Sequence, residues 1–360
     1  MTEILRQPAE VIYAHELSAL KADDTSPKPT GWELSPQAVV KYLMGGTTSD
    51  GTVISEKYVG NRKLIETAVA TLATDRALLL LGVPGTAKSW VSEHLSAGIC
   101  GDSTRVIQCT AGTDENQIRY GWNYAQLLAK GPSREALVPT PLFRAMQDGT
   151  LCRLEELTRM GSDVQDTLIT VLSEKMMPIA ELNDAVYAKR GFNVIATANN
   201  RDKGVNELSS ALKRRFNVVV LPLPDDMNEE IAIVSKRVAE MGHSLELPVP
   251  ANTSEEIGKV ITMFRELRGG ETLDGKIALK TPTGNLSTAE AIAVMVGSLS
   301  QSHWFENGAL LSAEIVSQNM LGAIIKDPVQ DKAVLEEYLE TVLKKRKDYA
   351  KFYHSMNELL

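Results

Sequence analysis

The feature that most narrows the folds open to this chain is an apolar run, "ALLLL" (Ala77–Leu81), that passes directly into "GVPGTAKS" (Gly82–Ser89). A buried strand turning through glycines into a helix is what a phosphate-binding loop requires. Its backbone N–H groups point inward, and the helix adds its positive end. The usual pattern, G-x-x-x-x-G-K-[ST], sets a glycine directly before the lysine; here Ala87 takes that place. Gly82 and Gly85 stand where a side chain would block phosphates or where φ must be positive, and Pro84 stiffens the turn. The candidate nucleotide cradle is therefore Gly82, Val83, Pro84, Gly85, Thr86, Ala87, Lys88, Ser89 and Trp90. Lys88 would reach the β- and γ-phosphates and Ser89 would bind Mg²⁺. Alanine is a good helix former and is tolerable at position 87 if φ is negative there. Taken alone, the same letters also describe a glycine-proline turn with a lysine beside it.

Composition sets the outer limits. With 360 residues, 43% of them hydrophobic, the chain can bury a large core, and its length suggests two domains. A net charge of −8 offers no general footprint for a phosphate backbone and argues against nucleic-acid binding. Three cysteines without a C-x-x-C pair and five scattered histidines argue against a zinc site or a disulfide framework. The N-terminal segment lacks the pattern of a secretory signal, and no apolar run approaches the roughly 18 residues of a membrane span. The expectation is a soluble cytoplasmic protein without membrane insertion.

Strand and helix patterns then alternate. "RVIQCT" (Arg105–Thr110), "TLCRL" (Thr150–Leu154), "FNVIATA" (Phe192–Ala198) and "FNVVVLPL" (Phe216–Leu223) read as buried strands beside "ALLLLG". The spacing predicts an α/β domain, a mostly parallel sheet flanked by helices. Beyond it, helices are expected over Glu229–Met241, Ser254–Leu267, Ser287–Ser300, Ser312–Ile325 and Val334–Tyr353, with Asp226 and Glu229 as a capping box. The resulting division is an N-terminal extension over 1–57 with a linker at Lys21–Pro36, an α/β nucleotide-binding domain over 58–225, and an all-α domain over 226–360.

Hydrolysis needs a group near the metal and another to orient water. The strand in "TLCRLEEL" ends in Glu155, placed to sit near Mg²⁺, and Glu156, placed to polarise the attacking water. The strand "FNVIATANN" ends in Asn199 and Asn200, an amide beside the γ-phosphate, and "SSALKRRF" sets Arg214 and Arg215 before the last strand, where an arginine can reach a neighbouring subunit's nucleotide. In this order the four features resemble the AAA+ ATPases, with Walker A, Walker B, sensor 1 and arginine finger in sequence. The resemblance is closest to the MoxR group, through "GVPGTAKS", "EELTR" (Glu155–Arg159), "ATAN" (Ala196–Asn199) and "RF" (Arg215–Phe216). "YVG" (Tyr58–Gly60) is similar to the segment that meets adenine in AAA+ proteins, which makes Tyr58 and Val59 candidate binding residues. The resemblance implies a P-loop NTPase core with a helical lid, ATP and Mg²⁺ as cofactors, and a homo-oligomeric ring, a hexamer. It also implies remodelling of a client protein or metal-cofactor insertion, with a partner bearing a von Willebrand factor A domain.

The same resemblance implies two inserts facing the ring's pore. Tyr120, Trp122 and Tyr124 alternate as on a strand, with core packing the plainer reading. Met176 and Met177 fit either a hairpin tip or a buried turn. Two departures stand out: Glu155 replaces the Walker B aspartate, and no arginine lies between Arg268 and Arg346, where the family's lid arginine would fall. These departures keep open a nucleotide-gated scaffold that barely hydrolyses ATP. A nucleic-acid motor is the third reading, disfavoured by the acidic balance.

Overall fold

The computed structural model describes residues 5–199, 206–306, 308 and 310–360. The chain falls into two units: residues up to Gly82 with Ala87–Leu221, and Val83–Thr86 with Pro222–Leu360.

In the first unit, among the described residues, five strands form one parallel sheet. They are β1 (Ala77–Gly82), β2 (Val106–Gln108), β3 (Leu151–Glu155), β4 (Asn193–Asn199) and β5 (Phe216–Val220), in spatial order β5-β1-β4-β3-β2. The unbroken apolar run of β1 has a simple cause: both faces are covered. Leu78 and Leu80 join one buried cluster with Val91, Leu95 and Ile99 of helix α3 (Lys88–Cys100). Ala77 and Leu79 join the opposite cluster with Leu142, Phe143 and Met146 of helix α4 (Pro141–Asp148). The register pairs Gly82 with Asn199 and Leu80 with Thr197, so the carboxyl ends of β1 and β4 finish together. That rim is where open parallel sheets bind ligands.

The described residues before Tyr58 are built into this unit. Helix α1 (Pro36–Met44) and helix α2 (Arg62–Leu72) share the cluster of α3. Within the stretch expected to be a linker, Trp32 and Leu34 are buried and Glu33 N–H donates to Ile99 O (2.7 Å). Two apolar anchors outweigh the polar residues around them.

The inserts are hairpins. Tyr120–Trp122 pairs antiparallel with Leu137–Pro139, and Tyr124–Lys130 forms a short helix between them. Tyr120 is buried, as core packing predicts, but Tyr124 leaves the strand and is exposed, as is Leu128 one helical turn on. Met176–Ile179 pairs with Asp184–Tyr187, so Met176 and Met177 lie on a strand and not at its tip; Met177 is wholly buried.

The second unit is helical: α5 (Met227–Ser244), α6 (Thr253–Gly269), α7 (Thr288–Phe305), α8 (Ala313–Ile324), α9 (Gln330–Thr341) and α10 (Ala350–Leu359). Its core gathers Phe264, Met295, Met320, Leu339 and Phe352 from five of these helices. Asp226 caps α5 by accepting from Asn228 N–H (2.6 Å) rather than through a box with Glu229. The single helix expected over Val334–Tyr353 is two, α9 and α10. Between them Arg346 takes an extended backbone (φ −103°, ψ 109°) while its guanidinium grips the buried Glu266 through both terminal nitrogens (2.7 and 3.0 Å). A tertiary ion pair has overridden helix propensity there.

Candidate functional site

Between β1 and α3 the chain turns through Gly85 at φ +83° and Ala87 at φ +61°. The negative φ under which alanine suits position 87 is therefore not what the chain adopts. Ala87 sits in the left-handed region, where Cβ crowds the following carbonyl at a cost of about 1–2 kcal/mol. Such strain persists where the surroundings hold it. Ala87 supplies no side-chain cap to α3, so the first-turn N–H groups remain suited to an anion. Thr86 Oγ1 donates to Val83 O (3.0 Å) inside the loop, and the buried Lys88 donates from Nζ to Gly82 O (3.1 Å). Gly82, Val83, Pro84, Gly85, Thr86, Ala87, Lys88 and Ser89 thus form one continuous strand–loop–helix turn.

Glu155, at the end of β3, is almost fully buried and accepts four hydrogen bonds. Ser89 Oγ and Thr197 Oγ1 donate to its Oε2 (2.7 Å each); Ser92 Oγ (2.6 Å) and Arg153 Nη2 (2.8 Å) donate to Oε1. Burial raises its pKa, but the Arg153 guanidinium and the three hydroxyls outweigh it and hold the carboxyl below its ordinary value. A carboxylate offers about four acceptor positions, and all are taken by the protein in this arrangement. The carboxylate expected near Mg²⁺ is bonded here to the hydroxyl of Ser89, the other residue expected at the metal. By accepting the Ser89 O–H, Glu155 leaves that hydroxyl's lone pairs open to a cation.

Sequence reasoning missed Arg153, Ser92 and Thr197. Arg153 is buried and also donates from Nε to Ser92 Oγ (3.0 Å), from Nη1 to Ser103 O (3.0 Å) and from Nη2 to Ser89 O (3.1 Å). The available signal was alternation: in "LCRLE", Arg153 and Glu155 are two apart and share a face of a strand otherwise apolar.

Glu156 also has a left-handed backbone (φ +58°), and its N–H donates to Thr197 Oγ1 (3.0 Å). The carboxylate is half-exposed and ion-paired with Arg159 of the same "EELTR" stretch. Asn199 ends β4 opposite Gly82; Asn200 lies outside the described residues. Arg214 is exposed and no contact of its side chain is found among the described residues, whereas Arg215 turns inward to Ser173 Oγ and Ala211 O. Tyr58 is buried and Val59 half-buried. Trp90 turns its indole N–H to Lys57 O (2.8 Å) and packs edge-on against His94 (4.3 Å), bracing the segment that carries Tyr58 and Val59. In the second unit Arg265 and Arg268 both pair with the buried Glu230 (2.9 and 2.7 Å).

Among the described residues no group of three or more His, Cys, Asp or Glu side chains is placed to hold a metal. The oxygen chemistry of Ser89 nevertheless fits Mg²⁺, which is commonly held by nucleotide phosphates and water with few protein ligands.

Two family models match. Residues 77–216 match the AAA domain (dynein-related subfamily), and residues 228–359 match the YehL-like AAA+ ATPase C-terminal domain. The uncharacterized protein YehL of Escherichia coli (strain K12) is 42% identical over 340 residues, 93% of this chain and 91% of YehL. This chain belongs to the YehL-like AAA+ ATPase family. The uncharacterized protein YojN of Bacillus subtilis (strain 168) is 28% identical over 156 residues, which are 43% of this chain and 50% of YojN. A crystal structure of NtrX from Brucella abortus shares the fold at a TM-score of 0.50 and 11% identity, covering 84% of this chain and 64% of that one. The phosphate loop, Glu155 and Asn199 all fall in the segment matching the AAA domain, and the helical unit coincides closely with the YehL-like C-terminal match. No helix among the described residues of this YehL-like chain is long and apolar enough to cross a membrane.

Proposed function

We propose that the chain binds and hydrolyses ATP with Mg²⁺ at the subunit interfaces of a MoxR-like homo-oligomeric ring, a hexamer. The observation that carries this reading is the convergence of Lys88, Ser89, Glu155, Thr197 and Asn199 at the carboxyl rim of one parallel sheet. Lys88 and the N–H groups of the loop hold the phosphates. Ser89 Oγ, its proton fixed by Glu155, ligates the cation. When bound, Mg²⁺ neutralises charge on the β- and γ-phosphates. Glu156 leaves Arg159 to polarise water, and Asn199 positions that water or the γ-phosphate. An arginine from the Arg214/Arg215 pair of the next subunit completes the charge compensation. Tyr58 and Val59 meet the adenine. Nucleotide-driven motion of the helical unit is passed to a client protein for remodelling or cofactor insertion, with a von Willebrand factor A domain protein as partner. The ring works in the cytoplasm.

ATP turnover at high protein concentration tests this reading. Glu156→Gln is expected to lower turnover by about 10²–10⁴-fold while ATP still binds. ATP binding by the wild type without turnover would favour the gated scaffold, a reading supported by the saturated Glu155 and the captive lid-unit arginines. Alanine at Arg215 is expected to remove most turnover with binding retained. If alanine at the exposed Arg214 does so instead, the finger is Arg214.

A further inference from the structure

Arg153 is a charged group beside Ser89 and Glu155 that the proposed mechanism leaves unused. It lies in the interior of β3, is buried, and pairs with Glu155 at 2.8 Å. An apolar residue would fill the same strand position with less desolvation, since burying an ion pair gains little stability over well-packed hydrophobic side chains. Its effect on the ligand is of another kind. Among the described residues, Arg153 neutralises Glu155 beside the phosphate loop and Arg159 pairs with Glu156. With Arg153 in place, the carboxylate bonded to Ser89 is neutralised before any ligand arrives. Without it, the carboxylate hydrogen-bonded to Ser89 would lose its paired cation and would repel a triphosphate unless a divalent cation stood between them.

We propose that Arg153 is a resident counter-cation that lets this chain hold a nucleoside triphosphate without a divalent metal, so that Mg²⁺ serves turnover more than binding. This rests on the nucleotide reading given above. Arg153 acts through Glu155 and Ser89, and is a positioning residue rather than a catalytic one. The four bonds it makes to α3, β3 and Ser103 would exist in a purely structural role too, so charge and packing must be separated.

The experiment measures equilibrium binding of a fluorescent ATP analogue to the full chain, in saturating Mg²⁺ and in excess EDTA, and reads the ratio of the two affinities. Wild type is expected to bind in both conditions. Arg153→Met, of similar length and without charge, is expected to raise the metal dependence by about tenfold or more. Arg153→Lys keeps the charge but cannot make the same four bonds; it is expected to melt earlier yet keep the wild-type ratio. Glu155→Gln, which leaves the Arg153 charge uncompensated, is expected to bind the metal-free analogue more tightly than wild type, and serves if Arg153→Met does not fold. A folded Arg153→Met with the wild-type ratio, or a Glu155→Gln variant with no gain in EDTA, overturns the proposal alone. Absence of binding by wild type in both conditions overturns the nucleotide reading and this proposal with it.

Discussion

Glu155 in the α/β unit and Glu266 in the helical unit are both buried carboxylates, each saturated by an arginine and by hydroxyl or amide donors. They differ in where the donors come from. Glu266 accepts from Tyr338 Oη (2.6 Å), from Arg346 and from Leu273 N–H (3.0 Å), which tie α6 to its following loop, to α9 and to the segment that breaks α9 from α10. Glu155 accepts from Ser89 and Ser92 on the first turns of the phosphate-loop helix and from Thr197 on the strand that ends in Asn199. One carboxylate fixes a helix packing. The other fixes a hydroxyl on the first turn of the phosphate-loop helix. Similar burial and similar partners therefore do not imply a similar role; the elements that donate decide it.

The strongest way to break this comparison is to delete the Glu266 carboxylate. Glu266→Ala leaves Arg346, the Tyr338 hydroxyl and Leu273 N–H facing a site with no acceptor, and is expected to cost about 3–5 kcal/mol. Urea unfolding of the full chain would show a lowered midpoint. ATP affinity of the folded fraction is expected to stay within about twofold of wild type, because the partners of Glu266 found among the described residues all belong to the helical unit. A large loss of affinity in a folded Glu266→Ala protein would erase the distinction drawn between the two sites.

The two units also differed in how legible they were. In the α/β unit, short apolar runs punctuated by glycine and proline gave all five sheet strands to within about three residues at either end, because buried parallel strands have few other spellings. The loop, Glu155, Asn199 and the arginine pair could be read because each falls at a strand or helix end whose position the alternation fixes. Arg153, Ser92 and Thr197 could not: their significance is a set of contacts between β3, β4 and α3, and nothing local marks it. Helix periodicity gave most of the second unit but ran α9 and α10 together. The break there is imposed by Glu266, some eighty residues away, on a sequence with good helix formers. Ala87 was misjudged for a related reason, since the loop's shape sets its φ and alanine's own preference does not.

A smaller effect sharpens the contrast through acid. Asp331 in the helical unit accepts from the N–H groups of Thr283, Lys326 and Asp327 and from Thr283 Oγ1. Burial raises its pKa, but these donors outweigh it and keep the carboxyl below its ordinary 3.8. A folded pKa below the unfolded one means the stabilisation is complete above the unfolded value. It is lost as pH falls below that value and through the folded one. Asp331→Asn is expected to cost about 1–3 kcal/mol at neutral pH and to flatten the acid limb of stability below about pH 4. Glu155 has the same sign, from an ordinary 4.5, so it contributes its own acid-sensitive stabilisation, and Asp331→Asn should leave that contribution unchanged. Thermal melts of Asp331→Asn and Glu155→Gln across the acid range would separate the two contributions.

The smallest expected effect comes from the strained backbone at Ala87, and a strained position in the helical unit predicts the opposite sign and a larger size. Ala87 and Leu286 both hold positive φ, at +61° and +35°. At Ala87 the side chain is exposed and adds no cap, so Ala87→Gly removes the Cβ clash and loses almost no packing. The variant is expected to gain about 1 kcal/mol of stability, less the extra backbone entropy glycine brings to the unfolded chain. At Leu286 the side chain is wholly buried in the helical core, so glycine there relieves strain but opens a cavity and is expected to destabilise. If Ala87→Gly instead destabilised the protein, the methyl would be making a contact that matters to the loop, and the strain at position 87 would belong to the site's construction rather than to the cost of an alanine where glycine fits. If the variant is more stable but binds ATP less tightly, the strain is being used to hold the loop ready for phosphate.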